Sequence, residues 1–170
     1  GTFSVGGTEG GALSFSSSPT DPGSADTFTY LWDFGDTNTS TSQNPTHTYA
    51  DDGNFSVSLT VTDDDGGSDT ESATVPVTNV NPVANAGTPP TGAETTPLSF
   101  TGSLTDLGTA DTHTYLWDFG DGNTDSTTLT PTHTYAAPGS FVVTLTVTDD
   151  DGGTDSDIIS AVVTNTAPTA

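Results

Sequence analysis

Lysine and arginine are absent from all 170 residues, while Asp and Glu number 23 and His three. Without Lys or Arg the chain forms no internal salt bridges with them and offers nothing to neutralise phosphate. Nucleic acid and anionic membrane surfaces are therefore disfavoured as partners. The formal net charge of −23 must be tolerated as self-repulsion, screened by salt, or offset by bound cations. Ca²⁺ is the natural counter-charge, and a merely solvated acidic surface is the alternative. Cysteine is also absent, so no disulfide staples the fold and no thiol does chemistry. Methionine is missing too, which removes the other readily oxidised side chain and leads us to expect processing or an excised segment. No apolar run approaches the ~18 residues of a membrane span, so no membrane insertion is expected, and no signal peptide is present. Hydrophobic residues make up 29%, low for a globular chain. A chain without Lys or Arg gives trypsin-like proteases nothing to cut, which suits an extracellular setting, secreted or at a cell surface.

What is present is repetition. Tyr30-Leu31-Trp32-Asp33-Phe34-Gly35-Asp36 returns 85 residues later as Tyr115-Leu116-Trp117-Asp118-Phe119-Gly120-Asp121. Pro45-Thr46-His47-Thr48-Tyr49 returns 86 residues later at Pro131–Tyr135, as does Leu59–Gly67 at Leu145–Gly153. Each copy reads as short strands. Phe55, Val57, Leu59 and Val61 alternate with Ser and Thr, giving one buried and one wet face. Phe141, Val143, Leu145 and Val147 repeat that pattern, and Phe28, Tyr30, Trp32 and Phe34 share a face in the same way. Gly and Asp clusters separate the runs, and no window carries helical periodicity. About seven short strands in some 85 residues indicate an all-β chain of two tandem immunoglobulin-like antiparallel β-sandwiches. We place the first at residues 1–79, lacking its own initial edge segment, and the second at 80–164. Residues 165–170 form a tail equivalent to the interdomain linker.

The acidic residues gather in loops. Asp63-Asp64-Asp65 and Asp149-Asp150-Asp151 open the loop after the sixth strand. Asp21 and Asp26, and in the second copy Asp106 and Asp111, lie between the second and third strands. In an immunoglobulin-like sandwich both loops emerge at one end, where the linker also arrives. Candidate metal ligands are therefore Asp21, Asp26, Asp63, Asp64, Asn79, Asn81, Asp106, Asp111, Asp149, Asp150 and Asn165. Ca²⁺ takes 6–8 oxygen ligands from carboxylates, backbone carbonyls and Asn amides.

Other patterns point away from catalysis. Asp33-Phe34-Gly35 imitates a kinase metal motif, but no phosphate loop or catalytic-loop sequence accompanies it; a tight turn explains it. His47 and His133 recur at one structural position, as satisfied strand histidines would. His113 replaces Phe28. No nucleophile-elbow sequence and no EF-hand spacing occurs. Asn38-Thr39-Ser40 and Asn54-Phe55-Ser56 match the short N-glycosylation pattern.

Taken together, Trp-Asp-Phe-Gly-Asp, the later His-Thr-Tyr, Gly-Asn-Phe or Gly-Ser-Phe, and Leu-Thr-Val-Thr-Asp-Asp-Asp-Gly-Gly resemble polycystic-kidney-disease (PKD) domains. The resemblance spans both copies. It implies a PKD-type sandwich in a surface or secreted protein, serving as spacer, adhesion module or accessory to a hydrolase, in some members with Ca²⁺ among the corresponding loops and linker. The expectation is a non-catalytic extracellular structural protein: a Ca²⁺-stiffened stalk or filament protomer, joined to other copies head to tail through Asn165–Ala170. The alternative is an accessory module of a secreted hydrolase or adhesin that engages polysaccharide or protein, with a surface glycan as partner.

Overall fold

In the computed structural model the described residues are 3–20 and 26–167, and they form strands and loops without a helix. The chain divides into two compact units. The first takes Gly1–Val80 with Leu107–Ala110, and the second takes Asn81–Asp106 with Asp111–Ala170.

The first unit contains β1 (Gly7–Thr8), β2 (Ala12–Ser14), β3 (Phe28–Asp33), β4 (Thr39–Ser40), β5 (Thr46–Thr48), β6 (Gly53–Asp63) and β7 (Ser68–Thr78). One sheet runs β1-β7-β6-β3-β4, and β2 pairs with β5 in a second. The second unit contains β8 (Val83–Asn85), β9 (Thr91–Ala93), β10 (Pro97–Ser99), β11 (Ser103–Thr105), β12 (His113–Asp118), β13 (Thr124–Asp125), β14 (Thr132–Thr134), β15 (Gly139–Asp149) and β16 (Thr154–Thr164). Its large sheet runs β13-β12-β15-β16-β9, with β10-β14 and β11-β8 as smaller pairs. The expected sandwiches are there, with one departure from pure antiparallel pairing. Gly7 and Thr8 lie parallel to Val77 and Thr78, and Thr91–Ala93 lie parallel to Val162–Thr164. These edge strands of two and three residues are too short to carry a readable alternation.

Each unit closes its own core. Leu13, Phe15, Trp32, Phe34, Tyr49, Val57, Leu59, Val75 and Val77 fill the first. Leu98, Phe100, Trp117, Phe119, Tyr135, Val143, Leu145, Val147, Ala161 and Val163 fill the second, joined by Ala84 and Ala86. The inward alternation along β3 and β6 builds these cores because side chains two apart share a sheet face. On the outer faces cross-strand charge pairs are impossible without a basic residue. Hydroxyl pairs take their place: Thr60 with Thr70 at 2.8 Å, Thr146 with Ser156 at 2.9 Å and Ser140 with Ser160 at 2.8 Å. Such pairs contribute roughly 0.2–1 kcal/mol each.

The two copies differ at tight turns. Thr37 adopts φ 76° where the second copy has Gly122, and Thr95 adopts φ 61° where the first has Gly10. A β-branched residue is strained in the left-handed region. A Cβ at Gly122 would meet no atom within 4 Å, so that strain lies in the backbone and not in crowding. Offset by the greater freedom of Gly in the unfolded chain, Thr37→Gly should stabilise the first sandwich by about 1 kcal/mol. Calorimetry should show its melting rise by roughly 4–8 °C, and Thr95→Gly should do the same for the second.

Candidate functional site: an acidic loop end

Around each Trp-Asp-Phe-Gly-Asp turn the structure builds one repeated unit. Gly35 (φ 80°) turns the chain after β3, and its N–H donates to Asp33 Oδ1 at 2.9 Å. His47 stacks on Phe34 with ring centroids 4.1 Å apart, and its Nε2 lies 2.7 Å from Asp36 Oδ2. Tyr49 then donates its hydroxyl to the Phe34 carbonyl at 2.9 Å and stacks on Phe55. Phe119, His133, Asp121, Tyr135 and Phe141 reproduce this set in the second unit. Burial would raise the Asp36 carboxyl, but hydrogen bonds from Asn38 and His47 outweigh it and hold the group below its ordinary value. Asp121 is lowered in the same way by His133 and Asn123 against its burial. Burial, and then the neighbouring aspartates, push Tyr49 and Tyr135 up to about 12. These His–Asp pairs are satisfied structural contacts that tie the turn to the core, as the recurrence of His47 and His133 implied.

In the second unit ligand-capable oxygens of Asp106, Asp111 and Asp149 lie within 4.8 Å of one another, as do those of Asp111, Asp150 and Asp151. Asp149 is 5% exposed. Its Oδ1 accepts the N–H of Gly153 at 2.6 Å and of Asp151 at 3.1 Å, which closes the Asp-Asp-Asp-Gly-Gly turn. Asp150 Oδ1 accepts the N–H of Thr112 at 2.8 Å, and this bond chiefly lowers its carboxyl. Asp106 Oδ2 lies 2.8 Å from His113 Nε2, so His113 braces an acid of the cluster where the first copy has Phe28. The set is all oxygen, the donor chemistry that suits Ca²⁺ rather than a softer metal.

In the first unit Asp63 Oδ1 caps Gly67 N–H at 2.7 Å and Asp64 Oδ1 accepts Thr27 N–H at 3.1 Å. Asp26 sits in the loop just before β3. Among the described residues, no three acids of this unit alone gather within ligand range; Asp21 lies outside the described residues. The structure thus brings together Asp106, Asp111, Asp149 and Asp150, and adds Asp151. Of the three asparagines expected as ligands, Asn81 donates its amide to the Thr154 carbonyl at 3.3 Å, while Asn79 is half-buried just after β7 and Asn165 is exposed just after β16.

The sequence reading missed two glutamates. Glu9 is fully buried, and its Oε1 accepts the N–H of Val80 at 2.6 Å. Its repeat, Glu94, accepts the N–H of Thr166 at 3.0 Å. Each sandwich therefore holds the segment that leaves it through one carboxylate. The available signal was a single acid inside the Gly- and Thr-rich stretch Gly6–Gly11, repeated at Glu94.

A sequence profile of the PKD domain matches residues 4–78 and again 79–164. The pre-pro-metalloprotease PrtV of Vibrio cholerae serotype O1 (strain M66-2) is 51% identical over 57 residues, which is 34% of this chain and 6% of that protein. A microbial collagenase of Vibrio alginolyticus is 47% identical over 70 residues, 41% of this chain and 8% of that protein. The chain thus matches less than a tenth of the length of either relative. The crystal structure of the PKD1 domain from the V. cholerae metalloprotease PrtV is 34% identical with a TM-score of 0.41. That match covers 49% of this chain and 98% of the domain.

Proposed function

Because the chain belongs to the PKD domain family, in two tandem copies, we propose that it is a non-catalytic accessory module of a larger extracellular protein. Its work is contact with an insoluble polymer, and collagen is the first choice because a collagenase and a metalloprotease are among its relatives. A surface polysaccharide is the second.

One observation carries this reading. On the outward face of the second sandwich Leu116, Val142, Ile158 and Val162 are exposed, Val142 and Ile158 each at 63%. Pairing of Leu116 with Thr146, Thr144 with Ile158 and Ser140 with Val162 puts all four on one face. The first sandwich has Leu31, Ser56, Ser72 and Pro76 at the same places. An exposed aliphatic strip set among hydroxyls is the kind of surface that marks a contact site. Every aromatic side chain is buried or half-buried, which favours a protein polymer over a sugar stacked on an aromatic platform. Cosedimentation with fibrillar collagen tests the reading. The chain should pellet with the fibres, and Val142→Asp/Ile158→Asp should cut the bound fraction at least fivefold at an unchanged melting temperature. Wild-type chain left wholly in the supernatant of both collagen and chitin would overturn it.

We further propose that Asp106, Asp111, Asp149, Asp150 and Asp151 hold Ca²⁺, which would relieve part of the net charge of −23 and stiffen the loop end of the second sandwich. The donor chemistry and the spacing of those carboxylates support this.

A further inference from the structure

The aliphatic strip on the second sandwich carries one charge at its rim. The outward positions of its large sheet are Thr114, Leu116 and Asp118 on β12, the even-numbered residues 140–148 on β15 and the even-numbered residues 154–164 on β16. Leu116, Val142, Ile158 and Val162 form the strip, and Ser or Thr fills every other of these positions except that of Asp118. Asp118 is exposed. It lies two residues from Leu116 and opposite Thr144, with Val142 as its diagonal neighbour on β15, a separation of about 7–8 Å. Ile158 continues the same row one strand further. The N–H of Gly120 donates to Asp118 Oδ1 at 2.9 Å. That bond fixes one oxygen of a group with roughly four acceptor sites.

This carboxylate limits what can cover the strip. A partner seated on Leu116, Val142 and Ile158 also takes water from Asp118, and a carboxylate stripped of water is costly unless a cation meets it. A second copy of this chain has no Lys or Arg to offer and brings a net charge of −23 against the first. An uncharged polysaccharide brings hydroxyl groups but no cation. We propose that the strip reads a basic side chain of the bound polymer, with its aliphatic stem on Leu116 and Val142 and its charged head against Asp118. Lys and Arg are built for such a seat, because their stems pack on apolar surface while the head stays with charge and water. Asp118 is then a specificity-determining residue of the contact face, and it selects a protein polymer with basic residues over a neutral one. The inference rests on the polymer-contact reading and adds the chemistry of what is contacted.

The first sandwich provides the comparison. Asp33 stands where Asp118 does, and the N–H of Gly35 donates to its Oδ1 at 2.9 Å. Leu31 precedes it as Leu116 precedes Asp118. Its diagonal neighbour is Ser56, however, and Ser72 continues its row. Without an aliphatic bed the carboxylate stays in water, where an ion pair contributes little. The two carboxylates thus share a local geometry and differ in surroundings.

Cosedimentation with fibrillar collagen over a NaCl series tests this. Asp118→Asn keeps an oxygen for the Gly120 N–H, so the turn is retained. It should weaken binding about threefold at low salt and flatten the salt dependence, because a rim charge acts through salt-sensitive attraction. Asp33→Asn removes the same charge from the chain and should leave binding unchanged. Fibres with acetylated lysines, or with arginines blocked by phenylglyoxal, should bind the wild type more weakly in whichever arm holds the contacted residue, and should bind Asp118→Asn as before. Three results would overturn the proposal while the polymer-contact reading stood: Asp118→Asn binding like the wild type, Asp33→Asn weakening binding as much as Asp118→Asn, or fibre modification costing both chains equally. A wild type that binds no fibre would overturn that reading itself, and this inference with it.

Discussion

Replacing Trp117 with Ala is expected to remove the cooperative melting of the second sandwich while leaving that of the first where it was. Trp117 has no exposed surface and packs against Phe100 and Phe119. Gly102 comes so close that a Cβ there would lie 2.6 Å from the indole. Truncating such a residue costs about 3–5 kcal/mol in lost burial and cavity formation. At roughly 0.05–0.15 kcal/mol per residue, a sandwich of ~85 residues has about 4–13 kcal/mol in all. The loss is therefore most or all of its stability. Trp32→Ala should do the same to the first sandwich, whose core shares no residue with the second. The milder change Trp117→Phe should cost less than its volume suggests, because the buried indole N–H has no acceptor and its removal relieves an unmet donor. Calorimetry of the four chains checks this. Two transitions that always shift together would contradict independent cores.

Calcium is expected to produce the second large effect. A loop-end site of extracellular type binds with a Kd of ~10⁻⁴–10⁻³ M. At 100 times Kd, ligand linkage adds about 2.7 kcal/mol to the sandwich that holds the ion. For a domain of this size that is a rise of roughly 10–20 °C in Tm. The rise should fall on the second sandwich, where Asp106, Asp111 and Asp149 converge. EDTA should reverse it, Asp111→Asn should remove it, and equal NaCl should give only the smaller, general gain from screening. If Ca²⁺ and NaCl at matched ionic strength moved both transitions alike, the ion would be acting on net charge and not at a site.

The core was legible because its signal is periodic. The aromatic alternation from Phe28 to Phe34 and the apolar alternation from Phe55 to Val61 can be satisfied only by strands with one wet face. The PKD-like motif then placed the turns, and Gly35 at φ 80° and the His47–Asp36 pair sit inside it. What escaped were features without period. The parallel edge strands β1 and β9 are too short to alternate, and Glu9 and Glu94 are single residues whose role depends on Val80 and Thr166 more than 70 positions away. The acidic loops were visible as clusters, but composition alone does not tell convergent carboxylates from splayed ones. Two sequences as alike as Asp63–Gly67 and Asp149–Gly153 end in different surroundings. His113 braces Asp106 in one, and Phe28 stands at that place in the other.

The most direct measurement incubates the purified chain with fibrillar collagen and records two quantities together: protein carried into the pellet and hydroxyproline released into solution. A module that works by contact should saturate the fibres while released hydroxyproline stays at the level of fibres alone. Release that grows with time and with chain concentration, and disappears on changing a single Asp, would contradict the account.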